Sequence, residues 1–434
     1  MSRCISFLAM LLTFTLVLTA CSSGLSSSGK ATTHIKVWFP GNSGPESDLV
    51  IKTLVPTFEK ANPDITVDVQ YVDWGSLSPK LNTAFAGGIA PDVFGHGPAA
   101  AAGFVASDRV LPLDSYINTL DEATRNDFGS MLDAGLVNGH RYLLPMISDG
   151  VLFAYRTDFF QQAGLDPAHP PTNWDELQSD ALKLTQRQGG KIVRAGLEFS
   201  NAGIGAEQTF STFLYQAGGQ LLNKEGTEVA WNSAAGVKAL QFMVNFYNGP
   251  DATASKEGGS TGTLPITQQP LLTGQTAMEL IDSGTLAGIQ QAAPNVMKNI
   301  VVMPPLGLVQ PAAYGGAGTG LFINKDSKHP DAAWRFIKYM TSVQTLQQYT
   351  DVTGTVPARA SFLKSDLVQK RPFMKNFLEA QATNVFRPNP NIPAWVQARD
   401  VLTRYLEKAM AQQMTPKAAL DAAAQEAGSL LTKK

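Results

Sequence analysis

Ile35-Lys36-Val37-Trp38-Phe39 and Ile65-Thr66-Val67-Asp68-Val69-Gln70-Tyr71 are the two stretches on which the fold turns. In both, apolar residues recur at every second position, the period of a half-buried strand. A turn at Pro40-Gly41-Asn42-Ser43-Gly44-Pro45 ends the first. Val50, Leu54 and Phe58 then recur every fourth position on one helical face, after Ser47 or Asp48 as N-cap. Pro56 falls inside this helix. It removes a backbone donor at a cost of about 3 kcal/mol, so a kink or a break is expected there. Asn62-Pro63 stops the helix. After the second strand, Trp74-Gly75-Ser76 leads into a helix over 77–86, closed by Gly87-Gly88. Ala90-Pro91-Asp92-Val93-Phe94 is a short buried strand. The order strand, helix, strand, helix, strand predicts an α/β fold with a parallel sheet and right-handed crossovers.

Further strands are expected at 151–155, 277–281, 300–303 and 321–324. A short helix over 157–165 ends at Gly164. Another begins near Pro171, with Thr172 three residues before Asp175 as a capping-box variant, and runs through Gln186. Helical patterns follow over 210–217, 237–247 and 331–340, and over most of 395–431. Residues 249–263 are poor in apolar side chains and rich in Gly, Ser and Thr, so they read as a mobile surface loop. No internal repeat is present.

The amino-terminal end fixes the compartment. Met1–Arg3 is positively charged and residues 4–18 are almost unbroken apolar. That run is short for a membrane span and fits a secretory signal. Leu18-Thr19-Ala20-Cys21 resembles a bacterial lipobox, which implies a signal peptide over 1–20 and a diacylated Cys21 as the first mature residue. Residues 21–32, Ser- and Gly-rich, then form a flexible tether. The mature chain has 434 − 20 = 414 residues, enough for about two domains. A net charge of −2, without a basic patch, argues against a nucleic-acid partner. The two cysteines, Cys4 and Cys21, both lie in the leader region, which leaves the mature fold no disulfide. Five scattered histidines form neither HxH nor HExxH, so no metal or other cofactor is expected.

Three glycine-rich stretches mimic catalytic motifs. Gly24–Lys30 has the spacing of a phosphate loop but is followed by Ala31 and preceded by no strand. Gly258-Gly259-Ser260-Thr261-Gly262 has the spacing of a nucleophile elbow but sits in the polar loop. Gly315-Gly316-Ala317-Gly318-Thr319-Gly320 precedes its strand, unlike a dinucleotide fingerprint, and suits a hinge or the close approach of backbone to a ligand. No motif supports an anchored hydrolase, and no enzymatic activity is expected.

Seven stretches together resemble the extracellular solute-binding proteins that feed ABC importers, of the large sugar-binding type related to maltose-binding protein. They are Val37-Trp38 with residues 58–67, then 90–94, 110–114, 155–165 with 171–177, 274–278, 326–337 and 353–357. The resemblance implies a two-lobed periplasmic-binding fold, each lobe a mainly parallel sheet flanked by helices. Crossings near 146–149, 313–318 and 354–358 would join them. The first lobe would take residues 33–146 plus 319–353, the second 147–318 plus 354–434. It further implies a monomer that binds a sugar or oligosaccharide without turnover and delivers it to the permease subunits of an importer. The alternative ligand is glycerol 3-phosphate or another polyol phosphate.

The cleft would lie at the carboxyl ends of the strands. Candidate contacts are Asn42, Ser43 and Glu46 after the first strand, where ordinary capping is an equal reading. His96 follows the third strand. Trp74 either stacks on a ring or packs beneath its helix. Asp149 lies at the first crossing, Gln208 before the 210–217 helix, and Asp282 after the 277–281 strand, where the family's usual Trp is missing. Tyr314 and Gly316 lie at the second crossing. Arg359 meets a charged ligand or pairs at the surface. Trp395 is the aromatic on which the resemblance places ring stacking. Trp38, Trp174, Trp334, Asp92 and Tyr155 read as structural.

Overall fold

The computed structural model describes residues 32–41, 44–255, 264–383 and 385–431. The expected signal peptide, Cys21, nearly all of the tether, Asn42, Ser43 and half of the 249–263 loop lie outside the described residues. No helix among those described is long and apolar enough to cross a membrane.

The first sheet has the order Ile65–Val72, Thr33–Pro40, Val93–His96, Gly320–Ile323, Leu143–Pro145. Its first three strands are parallel, as the βαβαβ pattern requires, and Gly320–Ile323 runs antiparallel to both its neighbours, Val93–His96 and Leu143–Pro145. The strand Gly320–Ile323 therefore returns to this sheet from far along the chain. The second sheet is built on the long strand Ile147–Arg156. Val356–Pro357, Ala313–Ala317, Met278–Asp282 and Ile300–Val302 pair along it, and Phe386–Arg387 extends it beyond Ala313–Ala317. Two α/β lobes result, one around each sheet.

The helix expected to kink or break at Pro56 does not break. Gly44–Leu49 is α-helical, Val50–Leu54 is a π turn, and Val55–Ala61 is α-helical again. Pro56 has no N–H to donate to Lys52, and the wider turn just before it absorbs that missing bond without ending the helix. The cap predicted at Thr172 is displaced by one residue. Asn173 accepts from the Glu176 N–H, and Thr172 donates to the Glu176 carboxylate through both its N–H and its hydroxyl. The helix expected over 210–217 begins two turns earlier and spans Gly203–Gln216, so Gln208 lies inside it.

The glycines of the 315–320 stretch serve internal packing. Gly315 stands opposite Gly150 in the sheet. A Cβ at Gly150 would lie 2.6 Å from Phe386 Cζ, and one at Gly315 2.5 Å from Phe386 Cδ1. The pair forms a slot that lets the Phe386 ring lie across the sheet where the chain passes between lobes.

Trp174 is fully buried, stacks on Phe242 at 4.2 Å, and donates to Gln216 at 2.7 Å. Trp334 is buried and Trp38 packs on a cluster around Phe94 and Phe322. Asp92 accepts from the Lys36 N–H and the Ser327 hydroxyl, fastening the end of the third strand. Tyr155 donates to the Pro167 carbonyl at 2.6 Å. All are structural, as the sequence suggested.

Candidate functional site

A cavity of about 490 Å³ opens beside the first crossing. Asp149 and Val151 of the long strand, Glu279 and Asp282 of its neighbour, and Gln208 and Thr209 of the helix Gly203–Gln216 line it. The register that pairs Asp282 with Val151 brings these walls together. Three of the residues picked from sequence, Asp149, Gln208 and Asp282, thus share one space. Asp282 is also the N-cap of the helix Ser283–Ala292. It accepts from the Thr285 N–H at 2.9 Å and the Thr285 hydroxyl at 2.7 Å. Both its oxygens are thereby fixed in place.

Protein surrounds Asp149 although its carboxyl is open to the cavity. Burial raises its pKa to about 6, and the charge of Asp282 adds to the effect. Glu279 is 1 % exposed, and burial, with the charges of Glu198 and Asp282, raises it to about 8. Sequence reasoning passed over Glu279. The signal was present: it is a carboxylate inside the apolar run Met278-Glu279-Leu280-Ile281, where only a partnered or functional charge persists. Ser200, Ile204, Gln269 and Thr285 also line the cavity and carry no local sequence pattern.

Tyr314 adjoins this wall through Gln208, and its phenol is pushed far above its ordinary pKa by burial and by Asp149 and Glu207. His96 and Trp74 form a second group, ring edge to face at 6.0 Å. Trp74, half exposed at the start of the helix Trp74–Ala86, does not pack beneath it. His96 Nε2 lies 3.0 Å from the Ser78 hydroxyl, and Nδ1 lies 3.3 Å from the Gly97 carbonyl. This Ser–His pair resembles a nucleophile and base, but burial holds His96 down to about 4, too weak a base at neutral pH, and a backbone carbonyl stands where a triad carboxylate would.

Four candidates lie elsewhere. Glu46 lines a separate cavity of about 520 Å³ and accepts from the Tyr349 hydroxyl at 2.5 Å. Gly316 faces the Pro388 ring instead of an open cleft. Arg359 does not pair at the surface. It is buried, 3.3 Å from Asp127, bonded to the Thr124 carbonyl and stacked over Phe128. Trp395 is fully buried in the second lobe's core, so it presents no face for a sugar ring to stack on. Its position at the first residue of the helix Trp395–Met410 turns it inward with Ala398 and Leu402.

Comparison with known proteins places this architecture. The sequence profile of the bacterial extracellular solute-binding proteins matches residues 42–345. The chain belongs to that family. These are substrate-binding proteins of ABC transporters, not enzymes. A binding protein of Brucella abortus is 25 % identical over 403 residues, 91 % of this chain and 92 % of the relative. The sn-glycerol-3-phosphate-binding periplasmic protein UgpB of Pectobacterium atrosepticum is 25 % identical over 438 residues, 94 % of this chain and 93 % of the relative. Among solved structures, maltose-bound MalE3 of T. maritima superposes with a TM-score of 0.79 at 25 % identity, covering 92 % of this chain and 100 % of that one. Among the described residues no group of three or more His, Cys, Asp or Glu is placed to hold a metal ion.

Proposed function

We propose that this solute-binding protein takes a sugar or other polyhydroxylated solute into the cleft at Asp149. It delivers the solute without turnover to the permease of an ABC importer, while lipidated Cys21 tethers it to the membrane. The observation that carries the ligand class is the lining of the 490 Å³ cavity, which combines carboxylates, amides and hydroxyls with apolar Val151, Ile204 and Ile281 and, among the described residues, contains no Lys or Arg. Sugar hydroxyls need several polar partners, and carboxylates accept their strongest bonds. Half-exposed Trp74 offers a flat face from the other lobe.

The relation to UgpB supports glycerol 3-phosphate as the second reading. A phosphate needs converging cations or an open helix N-terminus. The helix Gly203–Gln216 does point its amino end at the cavity, but the Glu407 carboxylate already accepts from the Gly203 N–H at 2.7 Å. The polyhydroxylated reading is therefore favoured. A thermal-shift panel of sugars, polyols and polyol phosphates, with product analysis, tests it. A neutral sugar or polyol should stabilise the protein and be recovered unchanged. Stabilisation by glycerol 3-phosphate alone, or turnover of any compound, overturns the reading. Replacing Cys21 by Ser should release the protein from the membrane with ligand affinity intact.

A further inference from the structure

We propose that the cleft selects a solute carrying a protonated amine among its hydroxyls, an amino sugar or amino polyol, over the neutral parent compound. This rests on the reading of the protein as a binder of polyhydroxylated solutes and narrows it.

Three carboxyls face the cavity, and among the described residues no Lys, Arg or His lines it. Asp282 cannot turn away, because Thr285 holds both its oxygens. Asp149 Oδ1 accepts from the neighbouring Gly150 N–H at 2.9 Å, and the residue is exposed at the cavity wall. Glu279 is nearly inaccessible. Its Oε2 accepts from the Leu271 N–H at 3.2 Å, and among the described residues no other hydrogen bond reaches its carboxyl. A buried carboxyl at a cavity wall with an oxygen to spare calls for a hydrogen-bond partner from within the cavity.

The nearby positive charge does not relieve this wall. Arg399 pairs with Asp400 at 2.9 Å and acts on His96, Glu207 and Tyr314, but not on Asp149 or Glu279. The carboxyls instead act on one another, Asp282 on both Asp149 and Glu279. A neutral sugar can hydrogen-bond to them but leaves the repulsion between Asp149 and Asp282 in place and Glu279 protonated. An ammonium group supplies three donors and cancels the repulsion in the same contact. In a partly enclosed space this charge pairing is screened less than on an open surface.

Matched compounds test the proposal on the whole protein by calorimetry and thermal shift. Glucose, galactose and mannose are compared with their 2-amino and 2-acetamido derivatives, and polyols with their amino forms. The amine should bind roughly tenfold or more tightly than its parent. N-acetylation should remove the gain, and raising the salt concentration should shrink it while leaving the parent unaffected. Asp149→Asn, isosteric and uncharged, should narrow the gap between amine and parent. If that variant is misfolded by circular dichroism, the acetylation and salt comparisons decide. Parents that bind as tightly as their amines overturn the selection of an amine and leave the sugar reading standing. If no polyhydroxylated compound binds, or glycerol 3-phosphate alone does, the sugar reading itself falls.

Discussion

Trp395 shows how a residue can match a family position and yet do other work. Resemblance placed it on a ligand, but the fold places it among Ala398, Leu402 and Leu406 with no exposure. Its indole N–H has no hydrogen-bond partner among the described residues. Trp395→Ala should therefore lower unfolding free energy by about 3–5 kcal/mol and leave ligand affinity, measured well below the transition, nearly unchanged. Trp395→Phe should cost less, because removing an unpaired buried N–H recovers about 1–3 kcal/mol of desolvation. Chemical denaturation beside calorimetry checks both. Lost affinity at unchanged stability would return Trp395 to the site. The slot under Phe386 gives a second test at this scale. Gly150→Ala forces a Cβ to within 2.6 Å of the ring, and the strain should cost about 1–3 kcal/mol. Asp282 could be picked out because it ends a strand located by pattern and Asp149 because the resemblance put a crossing there, whereas Gln208 was expected before a helix that in fact encloses it. Glu279 was missed because it was read as part of its strand, and Arg359 was misplaced because nothing local announces the distant Asp127.

Between elements, the segment joining Phe386–Arg387 to Trp395–Met410 reaches back to the first lobe. Asn391 Oδ1 accepts from the Ala102 N–H at 2.9 Å, and its Nδ2 donates to the Leu136 carbonyl at 3.3 Å. Ala102 lies in the first turn of the helix Ala101–Ala106, which has no side-chain cap of its own, so a residue from the second lobe satisfies one of its open donors. Each such bond is worth about 0.5–1.5 kcal/mol. Asn391→Ala should then shift the molecule toward lobe separation and weaken every ligand several-fold without altering their rank order. An increased radius of gyration of the ligand-free variant in small-angle scattering would accompany this. A changed rank order would mean that Asn391 contacts ligand. Alternation and spacing located most long strands and helices, because those periods are local. The contact of Asn391 with Ala102 spans 289 positions, and the displaced cap at Asn173 depends on the side-chain geometry of Thr172 and Glu176. Neither is encoded in a period.

At the scale of the whole molecule, two buried carboxyls, Glu279 at the cavity wall and Glu198 behind it, tie stability to pH. Burial raises Glu198 to about 7 and Glu279 to about 8, from an ordinary value of 4.5. Between those limits the folded protein holds protons that the unfolded chain has released, so stability is greatest at the acidic end of the window and declines as pH rises through 8. His96, lowered to about 4, works in the opposite sense below 6.5, where the unfolded chain gains a proton that the folded one refuses. The clean range is therefore pH 6.5 to 8, over which the ligand-free protein should lose about 2 kcal/mol. Glu279→Gln should remove most of the slope, leaving the smaller contribution of Glu198. Denaturation midpoints across that range give the measurement, and a flat wild-type profile would show that Glu279 is ionised in the empty cavity. A bound amine adds a sharper expectation. It favours the ionised carboxyl, so a saturating amino sugar should flatten the wild-type profile, whereas a neutral sugar should raise it uniformly.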